Sequence, residues 1–198
     1  MRRLADRLFL RQALRGGIEA AALLWAPLGV AAVIGVVALA GALAGRPWLF
    51  PSLAPSAFMQ IKAPLRKESS FYNVTVGQFL GFGCAVLSVI IFGLPRNPVL
   101  QGPSVHITAA TVGAVIVAIA LTEFFEVLFN ASHPPGGAMA LVILLGGYRL
   151  SVADTLSVVA GILLVAVVGE VGRRVRAYQL DRANMPPARL DEERAAYR

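Results

Sequence analysis

The polar residues of this chain cluster and leave long apolar stretches between them. Residues 20–44 contain no Asp, Glu, Lys or Arg; neither do residues 69–95, and residues 97–122 carry only His106 as a candidate charge. A helix rises about 1.5 Å per residue and a bilayer core is about 30 Å thick, so about 20 apolar residues suffice to cross. The pattern predicts full spans over residues 18–44, 71–94, 104–129 and 152–171. Pro27 is a kink candidate in the first. Gly77 and Gly81 lie four apart in the second, with Gly83 following. Small residues at that spacing let helices approach closely.

Two shorter apolar pieces lie between the spans. Residues 47–61 carry Pro47, Pro51 and Pro55, and residues 131–147 carry Pro134, Pro135, Gly136 and Gly137. Each opens with prolines and small residues and then turns helical. The predicted fold is an all-α membrane protein with four full transmembrane helices and two short Pro/Gly-interrupted half-helices. The order gives two inverted three-segment repeats, 18–94 and 104–172, in a transmembrane domain 18–172. Short interrupted segments in corresponding halves are the pattern that points to a transporter's binding site. Five extended and eleven helical residues reach about 33 Å, enough to cross. If both pieces cross, Arg46, Arg96 and Arg149 lie outside. If both dip and return, Arg46, Lys62, Arg66, Lys67 and Arg149 do. Fewer outside bases favours six passes.

Composition agrees with this reading. Of 198 residues, 57% are hydrophobic and 15% charged, with a mean hydropathy of +0.70; soluble domains carry roughly 25% charge. The net charge of +7 sits at the ends. Arg2, Arg3, Arg7, Arg11 and Arg15 precede the first span, and Arg173, Arg174 and Arg176 follow the last. That bias predicts cytoplasmic termini in a bacterial inner membrane, with anionic headgroups as counter-charge. Residues 1–17 read as a basic interfacial segment, with Leu4, Leu8 and Phe9 on one face. Residues 173–198 read as a polar cytoplasmic tail. Nucleic acid is not an expected partner, since no stacked aromatics accompany the bases. Cys84 is the only cysteine, so no intrachain disulfide or Cys-based zinc site is expected. No nucleophile elbow, metalloprotease helix or phosphate loop is present, so neither an enzyme, a cofactor nor a metal is expected.

The short pieces carry the candidate chemistry. A helix that begins inside a membrane presents free N–H groups and about half a positive charge at its first turn. Pro134 and Pro135 remove donors ahead of that turn, and Gly136 and Gly137 permit close backbone approach. Two such ends would make a small-anion site lined by Ser52, Pro55 and Ser56 on one side. Ser132, His133, Gly136, Gly137 and Ala138 would line the other. Extended backbone in a membrane needs protein cover or water, so a cavity is implied. The competing reading is that these are only tight helix crossings. His133 can donate to an anion, carry a proton or cap the third span. His106 is a coupling or pore-lining candidate, with an interfacial or helix-bonding histidine as the plainer reading. Glu123 and Glu126 are candidates for coupling to a cation or proton. Glu123 is, however, about 27 Å along its span, near the far interface where it would be solvated. Glu170 can pair with Arg173 or Arg174, and Glu19 with Arg15.

The stretch His133-Pro-Pro-Gly-Gly-Ala138 resembles the motif that names the HPP family of small integral membrane proteins. Pro51-Ser-Leu-Ala-Pro-Ser-Ala57 resembles that family's first small-residue segment, which is closer to P-S-L-G-A-T-A. Gly77-Gln78 looks like its later Gly-His, with glutamine in place of histidine, which makes Gln78 a pore-lining candidate. The likeness covers roughly residues 18–172. It implies membrane transport, and nitrite as the substrate, because cyanobacterial and chloroplast members are associated with nitrite. Some members carry soluble CBS domains after the membrane part; nucleotide sensing is not expected of this sequence. The expectation is therefore a transporter or channel for a small inorganic anion. A chain this small is expected to form a homo-oligomer. The alternative is a structural or assembly subunit with no transported substrate.

Overall fold

The computed structural model describes residues 17–94, 107–146 and 149–182. The helices are α1 (Gly17–Leu43), α2 (Leu53–Lys62), α3 (Phe71–Ile91), α4 (Ala109–Leu128), α5 (Pro135–Leu144) and α6 (Val152–Arg182). A 3-10 turn, Lys67–Ser69, precedes α3. The all-α expectation holds. α1, α3, α4 and α6 are each long and apolar enough to cross a membrane, so the protein is an integral membrane protein. The interfacial segment proposed for residues 1–17, His106 and most of the polar tail lie outside the described residues.

Local chemistry sets the helix ends. Ser70 caps α3 and Thr108 caps α4, each accepting an N–H from the first turn. α4 ends where Asn130 adopts a positive φ of 53°. The Asn130 N–H bonds the Val127 carbonyl and the Ala131 N–H bonds the Glu126 carbonyl. This pair of bonds is a Schellman stop, and asparagine tolerates the left-handed position it needs. It turns the chain sharply and sends residues 131–134 back along α3.

Side-chain positions give the direction of each short piece. Trp48 packs beside Gly41 near the end of α1, whereas Ile61 packs on Gly29, twelve residues earlier. Against α6 the same piece passes from Gly161 to Gly172. Residues 47–62 thus run antiparallel to α1 and parallel to α6 over about 17 Å, and do not double back. In the second half, Ser132 lies beside Asn73, His133 beside Gly77 and Gly136 beside Gly81. Residues 131–144 therefore run parallel to α3. Each short helix packs on the first helix of its own half and the third helix of the other: α2 on α1 and α6, α5 on α4 and α3. The two halves run in opposite senses.

The core follows those crossings. Val33, Val37, Leu53, Ile61, Ile162 and Val165 are buried around α2, and Val74, Ala85, Ala114, Ala118, Met139 and Ile143 around α5. Leu28, Leu39, Ile116, Phe124 and Val167 face outward, the surface that lipid would cover. At the opposite end from the α1–α2 turn, Glu170 binds Arg173 at 2.6 Å and Arg174 at 2.8 Å. It also accepts the Phe71 N–H at the start of α3, while Arg173 donates to the Pro64 carbonyl. The predicted pair thereby fastens the α2–α3 loop to α6.

Candidate functional site

Ser52 stands just before α2, and Ser56 one turn further along the same face. Gln78 lies on α3, two turns from its start. His133 lies in the extended lead into α5. All four are fully buried, at 0% exposure, so no open route reaches them in this conformation. Ser52 Oγ donates to Gln78 Oε1 at 3.0 Å, with Met139 Sδ 3.4 Å away. Gln78 Nε2 donates to the Ser52 carbonyl at 3.0 Å and to Ser56 Oγ at 2.9 Å. Ser56 Oγ lies 2.8 Å from His133 Nε2, and His133 Nδ1 lies 2.8 Å from the Glu68 carbonyl.

The directions follow from which atoms can donate. The Glu68 carbonyl only accepts, so His133 Nδ1 carries a proton. In the neutral ring Nε2 then accepts from Ser56. The chain reads Gln78 to Ser56 to His133 to the Glu68 carbonyl. A second arrangement also closes. If His133 gains a proton, Nε2 donates to Ser56 Oγ, which can turn to the Ser52 carbonyl 3.2 Å away.

Glu126 forms the other part of the site. It is 2% exposed, and its Oε2 accepts the His133 backbone N–H at 2.7 Å. Oε1 has no hydrogen-bond partner. This carboxyl sits against the first turn of α5, where a β-carbon on Gly136 would stand 2.6 Å from Oε1 and one on Gly77 3.0 Å. The half-positive end of α5 thus faces a carboxyl from α4. Above it, Lys67 bonds Asn130, Tyr72 bonds the Phe129 carbonyl at 3.0 Å, and Asn73 bonds the Ser132 carbonyl at 3.0 Å. The α2–α3 loop closes over this corner.

These residues are held at two backbone crossings. A β-carbon on Gly81 would collide with the Gly136 carbonyl, and one on Gly136 with the Gly77 carbonyl. Only glycine allows α3 and the start of α5 to touch here.

The family motif coincides with this geometry. The family described as HPP, transmembrane region, matches residues 16–179. The chain belongs to the HPP transmembrane family. Two transmembrane proteins of Dictyostelium discoideum are similar. One is 33% identical over 133 residues, covering 54% of this chain and 45% of that protein. The other is 33% identical over 119 residues, covering 50% of this chain and 36% of that protein. The HPP chain therefore spans less than half the length of the curated relatives it matches. No solved structure matches.

The residues that name the HPP motif serve different ends here. His133 joins the polar chain, while Pro134 is exposed and Pro135 buried. Gly136 makes the crossing; Gly137 and Ala138 are half-buried. Ser132 is half-buried and enters through its carbonyl. Pro55 is exposed, turned away from Ser52 and Ser56. Two expectations need correction. The first turn of α5 does not offer Gly136 and Gly137 as free donors, because their N–H groups bond the His133 and Pro134 carbonyls at 2.7 and 3.1 Å. The crossing is also not an open cavity at Gly81 and Gly136, since their backbones touch. Of the two glutamates, Glu123 is exposed as expected of a solvated residue, and Glu126 is not. The fold brings Glu126 in: it lies seven residues before His133, and the Schellman turn at Asn130 folds that short separation into contact. Glu68 could not have been found by its side chain, since it acts through its carbonyl. Among the described residues no group of three or more His, Cys, Asp or Glu could hold a metal.

Proposed function

We propose that this protein carries a small inorganic anion, nitrite first among them, across the membrane at the crossing of its two short helices. The observation that carries this reading is the convergence of both short-helix starts on one buried polar chain, Ser52–Gln78–Ser56–His133. Buried polar side chains inside a membrane bundle are costly and mark substrate paths. Inverted halves with interrupted helices provide a centre about which access can alternate. On this reading the described conformation is a closed one, since the four polar residues have no exposed surface. Transport needs the α3–α5 crossing to open, so that the anion exchanges hydrogen bonds with Ser56 and Gln78 near the positive end of α5. Nitrite rests on the family resemblance; small, planar and singly charged, it suits hydroxyl and amide donors. The proposed setting is a bacterial inner membrane, with both termini cytoplasmic, anionic headgroups at the basic ends and several copies of the chain associated.

A second reading has its own support. The polar chain is internally satisfied and its crossings are in backbone contact, as a purely structural membrane subunit would require. One experiment separates the two. Nitrite, nitrate, formate and chloride uptake is measured in proteoliposomes with wild type, Ser56→Ala and Gly137→Leu. A β-carbon on Gly137 meets only Ile119 Cδ1, at 3.6 Å, an ordinary contact. Uptake by wild type that both substitutions cut at least tenfold, with insertion intact, supports transport. No uptake of any of the four anions, with and without a pH gradient or membrane potential, sinks it and favours the structural subunit.

A further inference from the structure

Glu126, like Glu68, has a buried carboxyl oxygen with no hydrogen-bond partner, surroundings that do not suit a charge. A carboxylate is stabilised by donors and cations and penalised by burial without them. Its Oε2 has one donor, the His133 N–H, and its Oε1 has none while lying against Gly77 and Gly136. α4 contributes Glu123, which is exposed. The lead into α5 contributes His133, whose ring is engaged by Ser56 and the Glu68 carbonyl. α5 itself contributes no titratable side chain. α3 contributes Tyr72, which bonds the Phe129 carbonyl. The α2–α3 loop contributes Arg66, Lys67 and Glu68, and Lys67 is spent on Asn130. A proton on Oε1 removes the charge and leaves the His133 N–H bond to Oε2 intact.

The same carboxyl lies against the start of α5, beside the polar chain at which the anion is proposed to bind. That first turn is an electropositive end. A carboxylate and a bound anion cannot both remain charged at that end, because like charges at close range raise the proton affinity of one of them. We propose that Glu126 is a proton-binding site coupled to the anion at the start of α5, so that the protein moves a proton together with its anion. This rests on the anion-transport reading above. The step is one of simple binding: the Glu126 carboxylate takes one proton from water at the loop side when the anion enters, and releases it when the anion leaves. Cotransport then runs anion and proton in the same direction with no net charge moved.

The test uses the full chain in proteoliposomes with a pH dye inside and sodium nitrite outside, protein-free vesicles correcting for leak of the free acid. Wild type is expected to acidify the lumen as nitrite enters, and to take up nitrite several-fold faster when the lumen is alkaline. Glu126→Gln keeps an oxygen for the His133 N–H; it is expected to lose both effects, and Glu126→Asp to retain part of each. Wild-type uptake of nitrite without acidification, or acid-driven uptake that persists in Glu126→Gln, overturns the proposal. A second measurement separates its failure from that of the transport reading. The infrared carbonyl band of a protonated carboxyl is titrated in purified wild type and Glu126→Gln, with and without nitrite. A band absent from the variant, whose midpoint pH rises with nitrite, supports the coupled site even where flux is undetectable. No nitrite-dependent shift, or no band assignable to Glu126, overturns it.

Discussion

Ser56 Oγ and His133 Nε2 lie 2.8 Å apart, although 77 positions separate the two residues in the sequence. This bond joins the two inverted halves at their short helices. Removing the hydroxyl strands two buried groups, the His133 Nε2 and one N–H of Gln78. Each unsatisfied group costs about 1–3 kcal/mol. Ser56→Ala is therefore expected to lower the thermal unfolding midpoint of the purified protein by several degrees. Ser132→Ala is the control: its carbonyl, not its hydroxyl, accepts from Asn73, and its midpoint should stay near wild type. Equal shifts for the two would mean that the polar chain does not contribute to stability.

The glycines of α3 offer a sharper contrast. Gly81 faces the Gly136 carbonyl, while Gly83 faces open space. Gly81→Ala forces α3 and α5 apart, a backbone shift of the kind that costs about 1–3 kcal/mol. Gly83→Ala meets nothing and gains helix propensity, about 0.5–1 kcal/mol. Thermal unfolding should move down for the first and level or upward for the second. A loss of stability at Gly83 would show that this face packs on something beyond the chain.

These contrasts mark how much of the protein was legible beforehand. The four spans followed from apolar length, and the two short pieces from their prolines and glycines. The tightness of Gly77 and Gly81 followed from spacing alone. The burial of Glu126 did not, because distance along the helix placed its neighbour Glu123 near the interface and said nothing of the opposite face. Depth along a helix says nothing about which face a residue takes. Three residues apart, Glu123 looks outward and Glu126 inward, and only the folded lead into α5 decides the difference. The internal bonds of Gly136 and Gly137 are not legible in the sequence for a related reason. Whether a first turn is free or closed depends on the dihedral angles of the residues before it.

The direction of the short pieces can be checked from outside. Cys84 is buried, and replacing it by serine gives a background for single cysteines at Arg46, Lys62 and Arg149, all exposed. Passage through the bundle places Arg46 and Arg149 on one face and Lys62 on the other. An impermeant thiol reagent applied to oriented vesicles should label Arg46→Cys and Arg149→Cys from the same side, and Lys62→Cys only from the opposite side. Labelling of all three from one side would convert the first short piece into a re-entrant loop.

The crossing of α2 with α6 turns on Gln60 and Gly169. Gln60 is fully buried; its Nε2 donates to the Ala166 carbonyl at 3.3 Å, and its Oε1 has no partner. A β-carbon on Gly169 would collide with the Gln60 amide. The obstacle is thus the end of one side chain, unlike the backbone obstacle at Gly81. Gly169→Ala should destabilise the wild-type background, and far less once Gln60→Ala has removed the amide. Residues in direct contact show coupling energies of about 0.5–3 kcal/mol in such cycles. Unfolding free energies of the two single variants and the double variant measure it. Gly81→Ala, combined with Gln60→Ala, should show no such rescue, since its clash lies in the other half of the bundle. Additive behaviour of Gly169→Ala and Gln60→Ala would mean that α6 and α2 are held apart by something other than this side chain.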